Sequence, residues 1–328
     1  MNITSIRYYT RKLHPEWHFI YNHIFSEIES HKRKIDIETP IYMENLKTVV
    51  RYVFLDNPSL YYVNANTFNI QQINGKSILH LTYHYNKAEA GYIKRQIIEK
   101  INEITRPILE NSFNNIEKEK ILYDYITQNV KYDNSATADY ENHSIVGPLL
   151  NNSSVCEGYA KALKYLCDAV GIPCIIISGS RNSPNDKYEP HAWNIVKINK
   201  KCYHVDSTWD SIVNSDNSDF YDYFNVSDET IKKDHEWDIS LFPNCNEDYN
   251  VVQEITGSKM FESYIISQLK DNNEMFQVRF NKQFENESKI MEMVESAINK
   301  APFLLKLKAL SIGVRYNKNQ NKATIRIG

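Results

Sequence analysis

Residues 154–173 read SVCEGYAKALKYLCDAVGIP, and this stretch decides the fold. Its first four residues fit a capping box, in which the side chains of Ser154 and Glu157 bond to each other's backbone N–H group. Gly171 followed by Pro173 is typical of a helix end. Apolar residues recur between these signals at helical spacing, at Tyr159, Ala160, Leu163, Leu166, Cys167 and Val170. The pattern predicts a helix with Cys156 in its first turn.

The predicted position of Cys156 favours a reactive thiol. Unpaired N–H groups and the positive end of the helix dipole stabilise a thiolate in the first turn, and the same N–H groups can receive an oxyanion. A lone cysteine is more often a small buried residue, so this position alone does not establish chemistry. We interpret Cys167, on the apolar stripe, and Cys174, at the start of the string CIIIS, as packing residues.

A hairpin downstream contains a histidine and an aspartate. The string HAWNIVKI begins at His191, the string CYHVD ends at Asp206, and Asn199, Lys200 and Lys201 lie between them as a tight turn. If the two-residue loop is Asn199–Lys200, Asp206 lies opposite Trp193, which puts it on the same face as His191 and diagonal to it, roughly 7 Å away between backbones. A one-residue slip of the register would point the two side chains to opposite faces. A carboxylate can bridge that distance to an imidazole.

These residue types suit nucleophilic catalysis. The imidazole takes the thiol proton and later protonates the leaving group, while the carboxylate orients the ring and stabilises the imidazolium. A single histidine at a strand start is more often a surface or core residue. The conjunction of Cys156, His191 and Asp206 in one order therefore supports the prediction of an active site.

At these residues the chain resembles the bacterial transglutaminase-like superfamily, papain-like thiol enzymes with a helix-borne cysteine packed on a sheet that bears histidine and aspartate. The matching strings are VCEGYAKALKYLCDAVGIPC, HAWNIVKI and YHVDSTWD. Further support comes from HSIVGPL upstream and from YDYFNVSDE and HEW downstream. The resemblance covers about residues 115–238.

The resemblance implies a role for each matching residue. Cys156 would be the nucleophile, His191 the general base and acid, and Asp206 the residue that orients it. We expect five neighbours to support the site, namely Glu157, Trp193, Asn194, Thr208 and Trp209. Asn151 and Asn152 are candidate oxyanion donors by proximity only.

Two departures from the family pattern narrow the expected activity. Val146 stands where family members often have an aromatic residue. The glutamine before the cysteine and the tryptophan after it, which mark animal transglutaminases, are absent. Calcium-dependent protein crosslinking therefore does not follow from the resemblance.

The implied fold class is α+β: a papain/transglutaminase-like core with an α+β region on each side. We predict an N-terminal region at residues 1–111 that is scaffold or positions substrate, a catalytic core at 112–252, and a C-terminal region at 253–328. In the first region, helical periodicity covers residues 17–28 and 46–54, strand alternation covers Ser77–Tyr85, and a helix over Gly91–Leu109 is expected to be interrupted at Pro107. In the last region we predict a strand at Met275–Phe280, a helix at Glu287–Asn299 and a hairpin from Lys306 to Ile327.

Composition narrows the partners and the compartment. The 328 residues carry 38 Lys and Arg against 41 Asp and Glu, a net charge of −3, which offers no broad basic surface for nucleic acid or membrane. The five cysteines form no C-x-x-C pair, and no signal peptide or membrane span is evident, so we expect a cytoplasmic protein, although an export signal trimmed from the chain would leave the same sequence.

No cofactor or metal is expected, because His204, His235 and the 216–222 stretch lack ligand spacing. The run DSIVNSDNSDFYD at 210–222 is interpreted as a solvated loop.

The leading functional hypothesis is a cysteine peptidase or deamidase that acts on peptide-like amides through a Cys156 thioester, with acyl transfer to an amine as a variant. The expected partner is therefore a protein or peptide substrate. Two alternatives stay open. One is a protein- or peptide-binding module that retains the fold without turnover, and the other is a small-molecule amide or acyl transferase.

Overall fold

A computed structural model describes residues 7–135, 139–182, 188–213, 221–250, 252–284, 286–300 and 311–327. Its N-terminal region packs two helices, α1 (His18–Glu29) and α2 (Met43–Asp56), on a three-stranded antiparallel sheet. The strands are β1 (Lys34–Ile37), β2 (Asn69–Ile73) and β3 (Lys76–His80), with β3 in the middle. Both predicted helices are confirmed. The predicted strand at Ser77–Tyr85 is shorter, since regular pairing ends at His80 and Tyr83 forms only an isolated bridge with Val63.

Helix α3 (Lys87–Glu110) contradicts the predicted interruption at Pro107, because the helix continues through that residue. Proline removes one backbone donor and crowds the preceding turn. Here it lies in the last turn, and its buried neighbours Ile104 and Ile108 continue one apolar stripe. Burial of that stripe against the middle of the chain favours the helical path over a break.

The middle of the chain forms a helix-on-sheet core. Helix α4 (Asn115–Asn129) precedes a short parallel pair, β4 (Lys131–Tyr132) with β5 (Ser153–Ser154), and then helix α5 (Cys156–Val170). The main sheet has the order β8-β7-β6-β9 and is antiparallel throughout. Its strands are β6 (Cys174–Asn182), β7 (Tyr188–Ile198), β8 (Lys201–Val205) and β9 (His235–Glu236). Two short helices, α6 (Ser207–Val213) and α7 (Asp228–Ile231), lie in the connections.

Both faces of strand β7 are covered, so its residues from His191 to Val196 are all buried. Val196 belongs to the cluster that contains Leu163 and Leu166 of α5, whereas Trp193 and Ile195 belong to a second cluster on the opposite face. Because side chains alternate along a strand, His191, the catalytic candidate on β7, lies on the same face as Trp193.

The C-terminal region has its own sheet, with the order β10-β11-β13-β12. The strands are β10 (Gln253–Ile255), β11 (Met275–Phe280), β12 (Ile312–Asn317) and β13 (Lys322–Ile327), and the helices are α8 (Ser258–Lys270) and α9 (Glu287–Asn299). The strand predicted at Met275–Phe280 and the helix predicted at Glu287–Asn299 are confirmed. The predicted start of the hairpin at Lys306 lies outside the described residues.

The α+β fold class is confirmed, with a transglutaminase-like core between two further α+β regions. Separate hydrophobic clusters occupy the N-terminal region, the core and the C-terminal region, and the buried isoleucines of α3 pack into the cluster of the core. The proposed boundaries at 111/112 and 252/253 stay predictions. Within the described part of the chain, none of the helices combines the length and the apolarity that crossing a bilayer requires.

Gly158, in the first turn of α5, is expected to be intolerant of a side chain. A Cβ atom there would clash with the hydroxyl of Ser154 and the backbone oxygen of Asn142. Gly158→Ala should therefore lower the free energy of unfolding by about 1–3 kcal/mol, measured by urea denaturation. Gly91→Ala in α3 is the control, since no heavy atom lies within 4 Å of its Cβ position. That substitution should raise stability by about 0.5–1 kcal/mol, and equal effects at the two sites would contradict the packing argument.

Candidate active site

Cys156 is the first residue of helix α5, as predicted, but the predicted capping box is wrong. The N-cap is Val155 rather than Ser154, and no side chain caps the helix within the described residues. Ser154 belongs to β5 and its buried hydroxyl donates to the backbone oxygen of Asn142, 2.9 Å away. The Glu157 carboxylate turns instead to His143 and Lys161. Ser154 and Glu157, the two side chains that a capping box requires, are thus hydrogen-bonded to other segments of the chain.

The open start of α5 leaves its first N–H groups available. The earliest helical bond in this turn runs from the Tyr159 N–H to the backbone oxygen of Val155, at 3.1 Å. The N–H groups of Cys156, Glu157 and Gly158 precede it and have no intrahelical acceptor. They present the positive end of the helix dipole beside the half-buried Cys156 thiol.

The hairpin register that unites His191 with Asp206 is the predicted one. Ile198 pairs with Lys201 and Asn194 pairs with Val205, so the next pair along the ladder is Trp193 with Asp206. Asn199 and Lys200 both have positive φ, 48° and 72°, which a two-residue type I′ turn requires.

The two side chains are in direct contact, because His191 Nε2 donates to Asp206 Oδ2 at 2.7 Å and both residues are buried. This bond leaves Nδ1 of the ring for the thiol. Burial works against a charged ring, but the charge and hydrogen bond of Asp206, together with a hydrogen bond from the ring to Cys156, raise the pKa of His191 to about 9. The structure therefore brings the predicted thiol, imidazole and carboxylate together.

Asp206 is fully buried and accepts four hydrogen bonds. The backbone N–H groups of Thr208 and Trp209 donate to Oδ1 at 2.9 and 3.2 Å. Oδ2 accepts from His191 and also from His235 Nε2 at 3.0 Å. Burial would raise the pKa of Asp206, yet the charge of His191 and these hydrogen bonds hold it well below the usual value for aspartate.

The predicted supporting residues act in different ways. The rings of Trp193 and Trp209 lie 5.9 and 6.1 Å from the His191 ring. Thr208 contacts Asp206 through its backbone N–H group. Asn194 lies on the opposite face of β7, where its amide donates to the backbone oxygen of Ala160 at 2.9 Å and thereby joins the strand to helix α5.

Glu157, another predicted supporting residue, contacts the loop that precedes helix α5. Its carboxylate lies 3.0 Å from His143 Nδ1 and 2.7 Å from Lys161 Nζ. Burial would raise the pKa of Glu157, but the charge of Lys161 and the bond to His143 lower it to about 2. The residue therefore fixes the 140–143 turn against helix α5.

The two oxyanion candidates lie just before the nucleophile. The Asn151 amide donates to Glu141 Oε2 at 2.6 Å, and Asn152 has a left-handed backbone with φ 53°. Their role as oxyanion donors stays a prediction.

The sequence analysis missed the part of His235 in the site. This histidine was weighed only as a metal ligand, although the string HEW that contains it belongs to the family resemblance. In the structure it lies between Asp206 and Asp234, with Nδ1 at 2.7 Å from Asp234 Oδ1. Spacing gave no signal, since helices α6 and α7 and a long connection separate Asp206 from His235 in the sequence.

Within the described part of the chain, two groups of three side chains have potential metal-ligand atoms within 4.8 Å of one another. One group is His191, Asp206 and His235, and the other is His204, Asp228 and Cys245. Sequence spacing did not indicate either group. In each group, hydrogen bonds already occupy the histidine and carboxylate atoms that could bind a metal. The Trp193 indole donates to His204 Nδ1 at 3.0 Å, so Nε2 carries the proton and donates to Asp228 at 2.8 Å. In the other group, His235 Nε2 and His191 Nε2 both donate to Asp206.

The interpretation of residues 210–222 as a solvated loop is wrong at both ends. Asp210 lies in helix α6 and is fully buried. Its carboxylate accepts hydrogen bonds from Tyr123 and from two backbone N–H groups. Asp222 is also buried, near Lys322. Residues 214–220 lie outside the described part of the chain.

The other cysteines differ from Cys156 in their surroundings. Cys167 and Cys174 are buried, as predicted for packing residues, and a mutual hydrogen bond together with burial raises the pKa of Cys167. Burial also raises the pKa of Cys202, which is half-buried like Cys156. All five thiols are free.

A cysteine at a helix start, packed on an antiparallel sheet that bears a His–Asp pair, is the core of the transglutaminase/papain-like fold. Residues 102–207 match the family model described as the Transglutaminase-like superfamily, so the resemblance seen in the sequence is confirmed for this segment. The match begins within α3, upstream of the resemblance noted from the sequence, and ends just after Asp206.

Known proteins are similar to part of this chain at low sequence identity. The mouse protein named Kyphoscoliosis peptidase is 23% identical over 152 residues, which are 43% of this chain and 23% of the mouse chain. The human protein of the same name is 23% identical over 121 residues, or 34% and 18% of the two chains. This chain thus spans less than a quarter of the length of either relative. A solved structure described as a TGase aligns with a TM-score of 0.32 at 14% identity over 67% of this chain and 58% of that chain.

Asp206→Asn is expected to lower the pKa of His191. Without the carboxylate, burial alone dominates, so the pKa should fall from about 9 to near or below the ordinary value of about 6.5. Titration of the ring by NMR measures this shift. Asp228→Asn, which removes the partner of His204 instead, is the control and should leave the titration of His191 unchanged. An unchanged titration in Asp206→Asn would contradict the assigned pairing.

Proposed function

We propose that this protein is a thiol hydrolase of the transglutaminase-like class, a peptidase or deamidase that cleaves peptide-like amides through a Cys156 thioester. The observation that carries the proposal is the position of His191, whose ring lies between the Cys156 thiol and the buried Asp206 carboxylate. A protein or peptide is the proposed substrate. The match of residues 102–207 to the family model supports the same class of chemistry.

The proton balance at neutral pH favours a charged pair. A pKa of about 9 keeps His191 protonated, and the thiol is the proton donor within reach of Nδ1. The N–H groups at the start of α5 stabilise the thiolate that results. Cys156 is thus prepared for attack before substrate binds.

Acylation proceeds in two steps on this arrangement. The thiolate attacks the amide carbon, forming the C–S bond while the carbonyl electron pair moves to oxygen. The free N–H groups of Cys156, Glu157 and Gly158 are the donors proposed for that oxyanion. When the carbonyl re-forms, the C–N bond breaks and the nitrogen leaves with the proton of His191.

Deacylation reverses the proton path. Neutral His191 removes a proton from water, the hydroxide attacks the thioester carbon, and the C–S bond breaks to restore the thiolate. The net reaction converts an amide and water into a carboxylic acid and an amine. An amine in place of water would give acyl transfer, but that route needs a second groove for the acceptor, so hydrolysis is the proposed outcome.

The side chains around the thiol suit a polar substrate. Burial raises the pKa of Tyr132, and the charge of the nearby Cys156 thiol raises that pKa further. Arg181 lies 5.9 Å from the Trp209 ring and 3.1 Å from the Glu189 carboxylate. These groups lie near the site and leave the His191–Asp206 hydrogen bond intact.

The five free thiols support the further proposal of a reducing, cytoplasmic location.

Thiol reactivity tests the proposal directly. At pH 6 an ordinary thiol, with a pKa of about 8.5, is almost entirely protonated. Iodoacetamide should therefore alkylate Cys156 at least about tenfold faster than a free thiol, as measured by mass spectrometry of the labelled peptides. Cys202→Ala is the matched control, since Cys202 is half-buried but has no histidine partner among the described residues, and it should leave the fast phase intact.

Turnover is tested on a peptide library with wild-type protein and Cys156→Ala. Cleaved peptides or glutamine-to-glutamate conversion that require Cys156 are the expected products. Incorporation of an added amine instead would indicate acyl transfer. Alkylation of Cys156 no faster than a free thiol, together with retained peptide binding, would overturn the enzyme proposal in favour of a binding module.

A further inference from the structure

We propose that His235, held by Asp234 and Gln320, is a positioning residue for the thiol site, and that through it the C-terminal region fixes the Asp206 carboxylate. The inference rests on the proposed function, because it concerns the geometry of the same His191–Asp206 pair. It assigns a role to residues that lie outside the segment matched by the family model.

Both nitrogens of His235 face carboxylates. Nε2 lies 3.0 Å from Asp206 Oδ2 and Nδ1 lies 2.7 Å from Asp234 Oδ1, and the side chain is fully buried. A carboxylate accepts and does not donate, so each contact requires a proton on the ring nitrogen. The geometry is therefore that of an imidazolium held between two acids.

This arrangement fixes the orientation of Asp206. Its Oδ2 atom accepts from His191 and from His235, whose ring centroids are 5.3 Å apart. A carboxylate held by two rings and by two backbone N–H groups cannot rotate without breaking several charge-assisted bonds. The oxygen that orients His191 is consequently held in place before substrate arrives.

The surroundings of His235 are aromatic on three sides and contain few other charges. The rings of Trp209, Trp193 and Tyr223 lie 4.7, 4.9 and 5.7 Å from it.

The remaining titratable neighbours belong to the adjoining strands. His204 of β8 has a pKa that burial lowers, and the charge of His235 lowers it further. Arg181 of β6 pairs with His235 in the sheet register, and Glu236 follows it in β9. Among the described residues, only Asp206 and Asp234 lie within ion-pair distance of the ring.

The second acid connects His235 to the C-terminal sheet. Asp234 Oδ2 accepts from the Gln320 amide at 2.8 Å and from the Tyr223 hydroxyl at 2.7 Å. Gln320 lies in the β12–β13 turn and is fully buried. Asn317, at the end of β12, donates in turn to the Tyr223 hydroxyl at 3.1 Å. A continuous hydrogen-bonded path thus runs from the C-terminal turn to the catalytic candidate His191.

His235→Gln tests the positioning role, because it removes the charge while an amide can keep one donor. The alkylation rate of Cys156 is measured against pH, where the lower step reports formation of the ion pair and the upper step reports loss of the His191 proton. Without the nearby cation, and with both carboxylates retained, His191 holds its proton more tightly. The upper step should move about 1 pH unit higher.

Gln320→Ala tests the link to the C-terminal region. We expect it to slow alkylation at pH 6 several-fold, because Asp234 loses a donor and His235 is held less firmly. Gln283→Ala is the matched control, since this exposed glutamine of the same region donates only to the Lys318 backbone oxygen in the described structure and should leave the rate unchanged.

The outcomes separate the two proposals. If wild-type Cys156 is no more reactive than a free thiol, the proposed function fails. If wild-type Cys156 is reactive but His235→Gln leaves both pH steps in place, or Gln320→Ala matches Gln283→Ala, the positioning role is overturned. Should His235→Gln not fold, ¹⁵N NMR of histidine-labelled wild-type protein decides, because a His235 ring with one unprotonated nitrogen at pH 7 would contradict the inference.

Discussion

The arrangement of the thiol site depends on one buried carboxylate. Asp206 has no exposed surface, so its charge must be compensated by donors within the protein. It receives two from the backbone at the start of α6 and two from histidine rings. A carboxylate with fewer donors would take up a proton and could no longer hold the imidazolium of His191. The strand that ends in Asp206, the helix that follows it and the strand that begins with His235 are thus constrained by a single side chain.

The parts of this site that sequence could predict are those fixed by local rules. The Asn199–Lys200 turn sets the register of the hairpin, and the register places Asp206 on the face of His191. Helical spacing and the Gly171 stop identify α5 and therefore the position of Cys156. Each of these features depends on residues close together in the chain.

The parts that sequence could not predict depend on contacts between distant segments. Ser154 has the right type and spacing for an N-cap, but pairing of β5 with β4 directs its hydroxyl elsewhere. Pro107 would interrupt an isolated helix, yet the burial of its neighbours continues the helix. His235 and Gln320 lie far from Asp206 in the sequence, and only the packing of β9 and of the C-terminal turn brings them near it.

The burial of polar groups from the last strands also has a consequence for biosynthesis. Lys322 donates to the Tyr221 backbone oxygen at 2.9 Å and lies 3.4 Å from Asp222, inside the protein. During translation, Asp222 and the Tyr221 carbonyl leave the ribosome about a hundred residues before Lys322 does. Until the β12–β13 hairpin emerges, Asp222 lacks the lysine that faces it in the folded protein, so this part of the core is completed only after β13 has been synthesised.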